Sequence, residues 1–299
     1  MRARYGLLGL LLGLLLVGGA LESCRRSEPS RPESGATVPA AYDATGAAFP
    51  LTGAPRRLVS ISPNCTEILF ALGVGDRVVG VTTNCDYPEA ARAIEKVGDF
   101  HLNYEKILSL RPDLVVGSES FHQEAKRVLE SRGLRVFLVA DRSIDGLFAS
   151  IEQLGKLLEA SEAAVRLRER YEQVRAQVAE RIPYRRLRVL WVQYHQPLST
   201  VGPGNFHHDL IQLAGGENVA ADLSTGYGPI SEEVVLERDP EVVLTLGEEL
   251  REWVQERFPT VTAVRAGRVY VFNDAAALRP GPRLIEAIQS LHRLLYPEP

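Results

Sequence analysis

Two segments of the chain, residues 103–117 and 231–245, follow the same order of residue types. Each begins with a polar residue suited to cap a helix, places an acid in the first helical turn and continues with an amphipathic run. A proline then ends the helix, and an apolar run predicts a buried strand. Such a unit is common enough to recur by chance. A true repeat would instead predict two related α/β lobes around a cleft, with Glu105 and Glu233 at equivalent positions.

The N-terminus has the pattern of a secretory signal. Two arginines precede an apolar, uncharged run at residues 7–17, and small residues follow it before Cys24. The run is too short for a comfortable membrane span. Because residues 21–24 resemble the bacterial lipobox, we predict a lipoprotein signal peptide over residues 1–23. Cys24 would then carry the lipid that holds the protein at a membrane surface. The alternative is an ordinary secreted protein in which Cys24 stays free.

The segment that follows the signal is poor in structure-forming patterns. Residues 24–55 are rich in Pro, Ser, Ala, Gly and Thr and have no apolar period, which predicts a flexible tether. The whole chain has a formal net charge of −4 at pH 7, and no basic run lies beyond the leader. Nucleic-acid binding is therefore not expected.

Beyond the tether, predicted strands alternate with predicted helices, which is typical of a largely parallel sheet covered on both faces. We expect an N-terminal α/β lobe over residues 56–142 and a C-terminal lobe over residues 184–299. Residues 143–183 are predicted to form two linking helices. The second has an apolar stripe at Leu167, Tyr171, Val174 and Val178. This long helix suits a strut between two lobes, and an ordinary crossover helix within one large sheet is the alternative.

Besides Cys24, the chain has two cysteines, Cys65 and Cys85. Both are predicted to lie in loops that follow neighbouring strands, so a disulfide between them is geometrically feasible. Outside the cytoplasm such a pair is often oxidised. Two free, buried thiols are the alternative, and the sequence does not favour either. The spacing of a zinc site is absent.

Ligands of open parallel sheets bind beyond the carboxyl ends of the strands. The loops predicted there carry aromatic, amide and imidazole groups, which suit a large, flat, partly apolar ligand. These residues are Asn84, Tyr87, Phe100, His101, Phe121, His122, Tyr194, His195, Tyr227 and Asp274. Some of them are expected to pack or cap instead. Imidazole is a common metal ligand, but no carboxylate stands at a matching spacing, so no resident metal or cofactor is predicted.

Motifs for catalysis are missing from the chain. It contains no G-x-S-x-G, no H-E-x-x-H and no Walker loop, and no nucleophile is paired with a base at a familiar spacing. We therefore expect a protein that is not an enzyme. A secreted hydrolase that uses the cleft is a weaker hypothesis, and a structural or adhesive surface protein is another.

A set of short segments resembles the helical-backbone class of ABC-importer binding proteins, which handle vitamin B12, haem and ferric siderophores. The segments are LVSISP (58–63), TEILFALG (66–73), VGV (79–81), CDYP (85–88), RPD (111–113), AGGEN (214–218) and RPGPR (279–283). Their order and spacing cover nearly all of residues 56–296, and the cobalamin-binding members are the most similar. The resemblance implies an α/β fold with two Rossmann-like lobes and mainly parallel sheets. One long α-helix would join the lobes, and the ligand cleft would lie between them.

The resemblance also implies roles for individual residues. It implies docking on the permease dimer of an ABC importer through one surface glutamate on each lobe, and these fall on Glu105 and Glu233. The same acids would also stabilise the first turns of their helices. Positions that resemble the corrin contacts of the family are Asn84, Phe100, Tyr227 and Asp274, with Tyr194 close by. Tyr87, in the CDYP segment, completes the predicted ligand site.

Together these patterns predict a lipid-anchored, extracytoplasmic binding protein that works as a monomer. It would capture cobalamin or a related corrinoid as its small-molecule cargo and deliver it to an ABC importer. Haem or a ferric siderophore is the alternative cargo.

Overall fold

Strands and helices alternate along most of residues 39–297, the part of the chain that the computed structural model describes. The strands are β1 (Ala40–Tyr42), β2 (Ala48–Pro50), β3 (Leu58–Ser60), β4 (Val78–Val81), β5 (Leu114–Ser118), β6 (Val136–Val139), β7 (Leu187–Val192), β8 (Tyr194–His195), β9 (Leu198–Val201), β10 (Gly216–Asn218), β11 (Tyr227–Pro229), β12 (Val242–Thr245) and β13 (Val269–Val271). The helices are α1 (Pro63–Ala71), α2 (Tyr104–Ser109), α3 (Gln123–Glu130), α4 (Ile144–Leu157), α5 (Ser161–Ala179), α6 (Phe206–Leu213), α7 (Glu232–Arg238), α8 (Glu248–Arg257), α9 (Thr262–Arg265), α10 (Ala275–Leu278) and α11 (Leu284–Leu295).

Two parallel four-stranded sheets form the centres of two lobes. The N-terminal sheet has the order β4–β3–β5–β6, and the C-terminal sheet has the order β10–β7–β12–β13. Strands β5, β6 and β12 are buried along their whole length, as expected for parallel strands covered by helices on both faces. A small antiparallel sheet, β11–β9–β8, belongs to the C-terminal half of the chain. The predicted α/β fold with two lobes is confirmed.

Helices α4 and α5 link the lobes. The 19 residues of α5 span roughly 29 Å at a rise of about 1.5 Å per residue. Its apolar stripe is buried at Tyr171, Val174 and Val178, and the Tyr171 ring stacks on Phe148 of α4 with 4.4 Å between centroids. Because the strands before and after α5 belong to different sheets, it is a strut between lobes and not a crossover within one sheet.

The two repeated segments share two features of backbone structure. Asn103 and Ser231 each cap their helix by accepting a hydrogen bond from the backbone N–H three residues further on. The residue before each proline has a positive φ, 47° at Arg111 and 39° at Asp239. Left-handed backbone is uncommon for residues other than glycine. Its occurrence at equivalent positions therefore supports a true repeat and not a chance recurrence.

An arginine completes each repeat, and sequence patterns had not indicated it. The Arg57 guanidinium, at the start of β3, donates to the carbonyls of Leu110 (2.7 Å) and Arg111 (3.2 Å). The Arg188 guanidinium, near the start of β7, donates to the carbonyl of Asp239 at 2.8 Å. These carbonyls end the repeat helices and have no partner within the helix. Each arginine therefore ties the end of a helix to the first central strand of its lobe.

The tether predicted over residues 24–55 is wrong for residues 40–50. Strands β1 and β2 pair there as an antiparallel hairpin that packs on the N-terminal lobe. Phe49 is only 5% exposed, and its ring centroid lies 5.1 Å from that of Phe137 in β6. Each hairpin strand has one buried residue, too few to produce a recognisable period. The N-terminal lobe therefore includes residues 40–50 in addition to the predicted residues 56–142.

A buried ion pair also connects the hairpin to α3. The Lys126 ammonium lies 2.6 Å from the Asp43 carboxylate, which also accepts hydrogen bonds from Thr45 and from the backbone N–H of Leu138. Burial by itself would raise the pKa of Asp43. The hydrogen bonds from Lys126 and Thr45 outweigh that effect and hold the pKa below its ordinary value.

The signal peptide predicted over residues 1–23 and the lipid attachment predicted at Cys24 lie outside the described residues. Within residues 39–297, none of the helices is both long enough and apolar enough to cross a membrane.

Candidate functional site

A cleft of about 960 Å³ opens beyond the carboxyl ends of the N-terminal strands. Its walls are the loops that follow β3, β4 and β5, together with residues 278–280 of the C-terminal lobe. This is the position at which open parallel sheets bind their ligands. The cleft therefore lies where the strand order predicts a binding site, and both lobes contribute to it.

Two phenylalanines stand at this cleft with their rings in solvent. Phe100 is 92% exposed and Phe121 is 81% exposed. Large apolar side chains left in water mark surfaces that a partner covers. From its sequence position Phe121 is only one of several loop residues, and it is not among the positions that the family resemblance selects. The structure brings it to the same cleft as Phe100.

Ser118 and His122 of the cleft wall belong to a network of polar side chains. The Ser118 hydroxyl donates to the Asp141 carboxylate, which also accepts from the Ser120 hydroxyl at 2.6 Å. His122 Nδ1 lies 3.1 Å from the Ser118 backbone N–H, and burial lowers the pKa of this imidazole. The Ser118 hydroxyl is therefore held in a hydrogen-bond network around the Asp141 carboxylate. This arrangement suits a rigid binding wall.

The predicted ligand residues do not all meet at this cleft. Asn84 and Phe100 line it. Tyr87 lies in a separate cavity, where the Arg283 guanidinium stacks 4.1 Å from its ring centroid. Asp274 caps α10 by accepting a hydrogen bond from Ala276 N at 2.9 Å. Tyr87 and Asp274 therefore each have a structural contact within the protein itself.

Tyr194 and Tyr227 lie on the small antiparallel sheet of the C-terminal half. Tyr194 pairs with Ser199 in the strand register, and the Tyr227 hydroxyl lies 3.0 Å from Ser199 Oγ. Both rings are about half exposed. Neither lines the cleft described above. They form a second aromatic surface around Ser199, on the lobe opposite Phe100.

Residues 58–276 match the family described as periplasmic binding protein. This match spans more than half of the chain and includes both parallel sheets. The chain belongs to the periplasmic binding protein family. The predicted membership is thereby confirmed, and the role of the family is to bind a substrate and not to catalyse a reaction.

The binding protein is similar to relatives whose names give different ligands or none. It is 30% identical over 311 residues to the uncharacterized ABC transporter substrate-binding lipoprotein YvrC of Bacillus subtilis. This match covers 100% of this chain and 99% of the relative. The structure of the vitamin B12 binding protein BtuF of Vibrio cholerae matches with a TM-score of 0.69 and 29% identity, over 81% of this chain and 96% of that one. The haem-binding protein RhuT of Roseiflexus sp. RS-1 matches with a TM-score of 0.71 and 30% identity, over 82% and 98%.

These similarities establish the general role of the binding protein. It is an extracytoplasmic solute-binding component of an ABC importer, related to proteins that bind vitamin B12, haem and iron. Its partners are a small-molecule cargo and an importer permease.

The two glutamates predicted to dock on the permease are exposed in the first turns of α2 and α7. Arg132 Nη1 lies 3.3 Å from the Glu105 carboxylate at the surface. The backbone N–H of Glu233 and the Ser231 hydroxyl lower the pKa of Glu233. Both carboxylates are therefore available to a partner, one on each lobe.

Cys65 and Cys85 of the binding protein are free and buried. Cys85 Sγ lies 3.1 Å from the hydroxyl oxygens of both Thr66 and Thr82. Burial raises the pKa of the Cys65 thiol, which keeps it protonated. Of the two alternatives left open by the sequence, the structure has the pair of buried thiols and not the disulfide.

Histidines were the candidate metal ligands of the sequence. Across residues 39–297, His, Cys, Asp and Glu side chains do not gather in any group of three or more that could hold a metal ion. His101 stands fully exposed at the cleft, and its Nδ1 lies 3.6 Å from the Asp99 carboxylate.

Proposed function

We propose that this binding protein captures cobalamin or a related corrinoid and delivers it to the permease dimer of an ABC importer. In this proposal the protein is a monomer, and a lipid on Cys24 holds it at the membrane. The observation that carries the proposal is the pair of solvent-exposed rings, Phe100 and Phe121, at a cleft of about 960 Å³.

The chemistry of a corrinoid matches the groups around this cleft. A corrin is a large, flat ring with apolar faces, which suit contact with aromatic side chains. Its edge carries amide groups, which need hydrogen-bond partners. Within the described residues, the Asn84 amide at the cleft has no side-chain hydrogen bond and can serve such a group. Tyr194, Tyr227 and Asp274 are the residues proposed to contact the cargo from the other lobe.

Haem is the second candidate cargo, and one observation favours it. The exposed imidazole of His101 is next to Phe100 at the cleft and could ligate an iron atom. The similarity to the haem-binding protein RhuT supports the same alternative.

Titration calorimetry with the apo-protein tests the corrinoid proposal. We expect cyanocobalamin to bind with a micromolar or tighter dissociation constant and a measurable heat. No heat at micromolar concentrations would contradict a corrinoid cargo and leave the family assignment intact.

Haem is tested in parallel by absorbance. A haem cargo would shift the Soret band on binding, and His101→Ala would change the shifted spectrum. His195→Ala is the control, because the His195 ring packs on Trp253, 5.4 Å away, and does not line the cleft.

A further inference from the structure

A short segment of the C-terminal lobe, residues 279–283, reaches across to the N-terminal lobe. Arg283 Nε and Nη2 donate to the two carboxylate oxygens of Glu67 in α1, at 2.8 and 2.6 Å. The Glu67 side chain is only 2% exposed. The Arg283 guanidinium group also lies over the Tyr87 ring. A two-point ion pair of this kind fixes the direction of both side chains as well as their distance.

A second arginine extends this contact toward the cleft. Arg279 Nη1 lies 2.6 Å from the Asp86 carboxylate and 3.4 Å from Glu67 Oε1. Between the two arginines, the Pro280 carbonyl accepts a hydrogen bond from Asn64 Nδ2 at 3.2 Å. Two arginines of one lobe are thus balanced by two carboxylates of the other. Hydrogen bonds to these carboxylates raise the pKa of both guanidinium groups, so the charges persist across the pH range of folded proteins.

This network separates two cavities. Arg279 lines the cleft, and Arg283 lines a second cavity of about 320 Å³ behind it. The second cavity lies between α1, α5 and α11, and Phe70, Leu167 and Ile285 form part of its wall. Since there is open space on both sides, the lobes meet here through ion pairs and hydrogen bonds and not through a packed apolar core.

A buried ion pair of this kind contributes little net stability, because desolvation of the charges offsets their attraction. It does demand one geometry, since a displaced partner leaves a buried charge unpaired. We infer that Glu67, Asp86, Arg279 and Arg283 form an inter-lobe clasp that sets the separation of the lobes and so the width of the cleft. The clasp acts on the empty protein and does not depend on which cargo binds.

Distance measurement between the lobes tests the inter-lobe clasp. Spin labels are placed on the exposed positions Ser131→Cys and Gln255→Cys, one on each lobe, in the full chain with Cys24→Ser. Cys65 and Cys85 are buried and stay unlabelled in the folded protein. We expect Glu67→Gln to shift the distance distribution of the apo-protein to a longer mean and to broaden it.

Two further variants separate geometry from folding. Arg283→Lys keeps the positive charge and loses the two-point contact, so a smaller shift in the same direction is expected, even if Glu67→Gln does not fold. Glu232→Gln is the matched control, because it removes a two-point pair with Arg257 that lies within the C-terminal lobe. Wild-type distances in folded Arg283→Lys, or an equal shift in Glu232→Gln, would overturn the proposal.

Discussion

Phe49 and Phe100 are the same residue type in opposite surroundings. The Phe49 ring is buried against Phe137, and the Lys126 ammonium lies 5.5 Å from its centroid. The Phe100 ring is in solvent. Burial of a phenylalanine side chain stabilises a fold by about 1.5–3 kcal/mol, and Phe100 contributes none of this to the free protein. Its position at the cleft leaves that free energy available for binding.

Replacement of Phe100 by alanine should therefore weaken binding without loss of stability. We expect cargo affinity to fall about two- to twelvefold, since loss of an aromatic contact costs about 0.5–1.5 kcal/mol and about 1.4 kcal/mol is a factor of ten. The free energy of unfolding should change by less than about 0.5 kcal/mol. Tyr184→Ala is the control, because this ring is fully exposed and lies away from the cleft. Equal affinity in Phe100→Ala and wild type would argue against the proposed site.

The buried pair of Asp43 and Lys126 gives the protein a specific acid sensitivity. The pKa of Asp43 is lowered from 3.8 by folding. The stability that this carboxylate contributes is therefore complete above its unfolded pKa and is lost as the pH falls through the lower folded pKa. Asp43→Ala should cost about 3 kcal/mol at neutral pH, because it removes the buried carboxylate of this pair and leaves the Lys126 ammonium only Glu130, at 3.4 Å, as an acidic partner.

Denaturant unfolding between neutral pH and pH 2 checks this pair. The difference in stability between wild type and Asp43→Ala should shrink once the pH falls below 4, near the unfolded pKa. Glu89→Ala breaks an exposed pair with Arg92 and should change stability by less than about 0.5 kcal/mol. A wild-type-like Asp43→Ala at neutral pH would contradict the role of the pair.

At the scale of elements, the two repeat units have the same arrangement of helix, strand and arginine contact. Each unit places a capped helix before a buried strand, and an arginine from the first central strand holds the end of that helix. The spacing of polar and apolar residues predicted the caps, the proline stops and the strands. The arginine contacts were not predicted, because Arg57 lies more than 50 residues before the carbonyls that it binds.

The equivalent placement of Glu105 and Glu233 leads to a transport prediction. Glu105→Ala combined with Glu233→Ala should leave cargo affinity unchanged, since neither residue lines the cleft. Uptake should fall more than tenfold, because each charge-assisted contact with a permease is worth about 1.5–3 kcal/mol. Uptake by reconstituted permease vesicles measures the effect.

A charge-matched control accompanies the docking variant. Glu89→Ala combined with Glu252→Ala removes two exposed acids elsewhere on the surface and should transport normally. Normal uptake by the Glu105→Ala and Glu233→Ala protein would contradict the docking role.

At the scale of the whole molecule, distant parts of the chain complete each lobe. The hairpin at residues 40–50 covers Phe137 and pairs with Lys126, so the N-terminal lobe includes a segment that the composition assigned to the tether. The inter-lobe clasp similarly joins α1 to the segment before α11. Segments near both ends of the described chain thus make contacts with residues far from them in the sequence.

Truncation distinguishes the hairpin from a tether. A chain that begins at residue 39 should unfold at the temperature of the longer protein. A chain that begins at residue 56 should unfold at least about 6 °C lower, since loss of a buried phenylalanine costs about 3–5 kcal/mol and each kcal/mol shifts Tm by about 2–4 °C at this size. Calorimetry provides the measurement. Equal unfolding midpoints for both chains would contradict a structural role of the hairpin and support a tether over these residues.

The sequence by itself determined the α/β alternation, the two lobes, the long α5 helix and the capped repeat units. These depend on the spacing of neighbouring residues, which periodicity and capping rules describe. Only the tertiary structure decided that Tyr87 stacks on Arg283, that Phe121 joins Phe100, and that Cys65 and Cys85 remain thiols. These outcomes depend on where side chains from distant parts of the chain meet and in which direction they point. Spacing along the sequence carries no information on either.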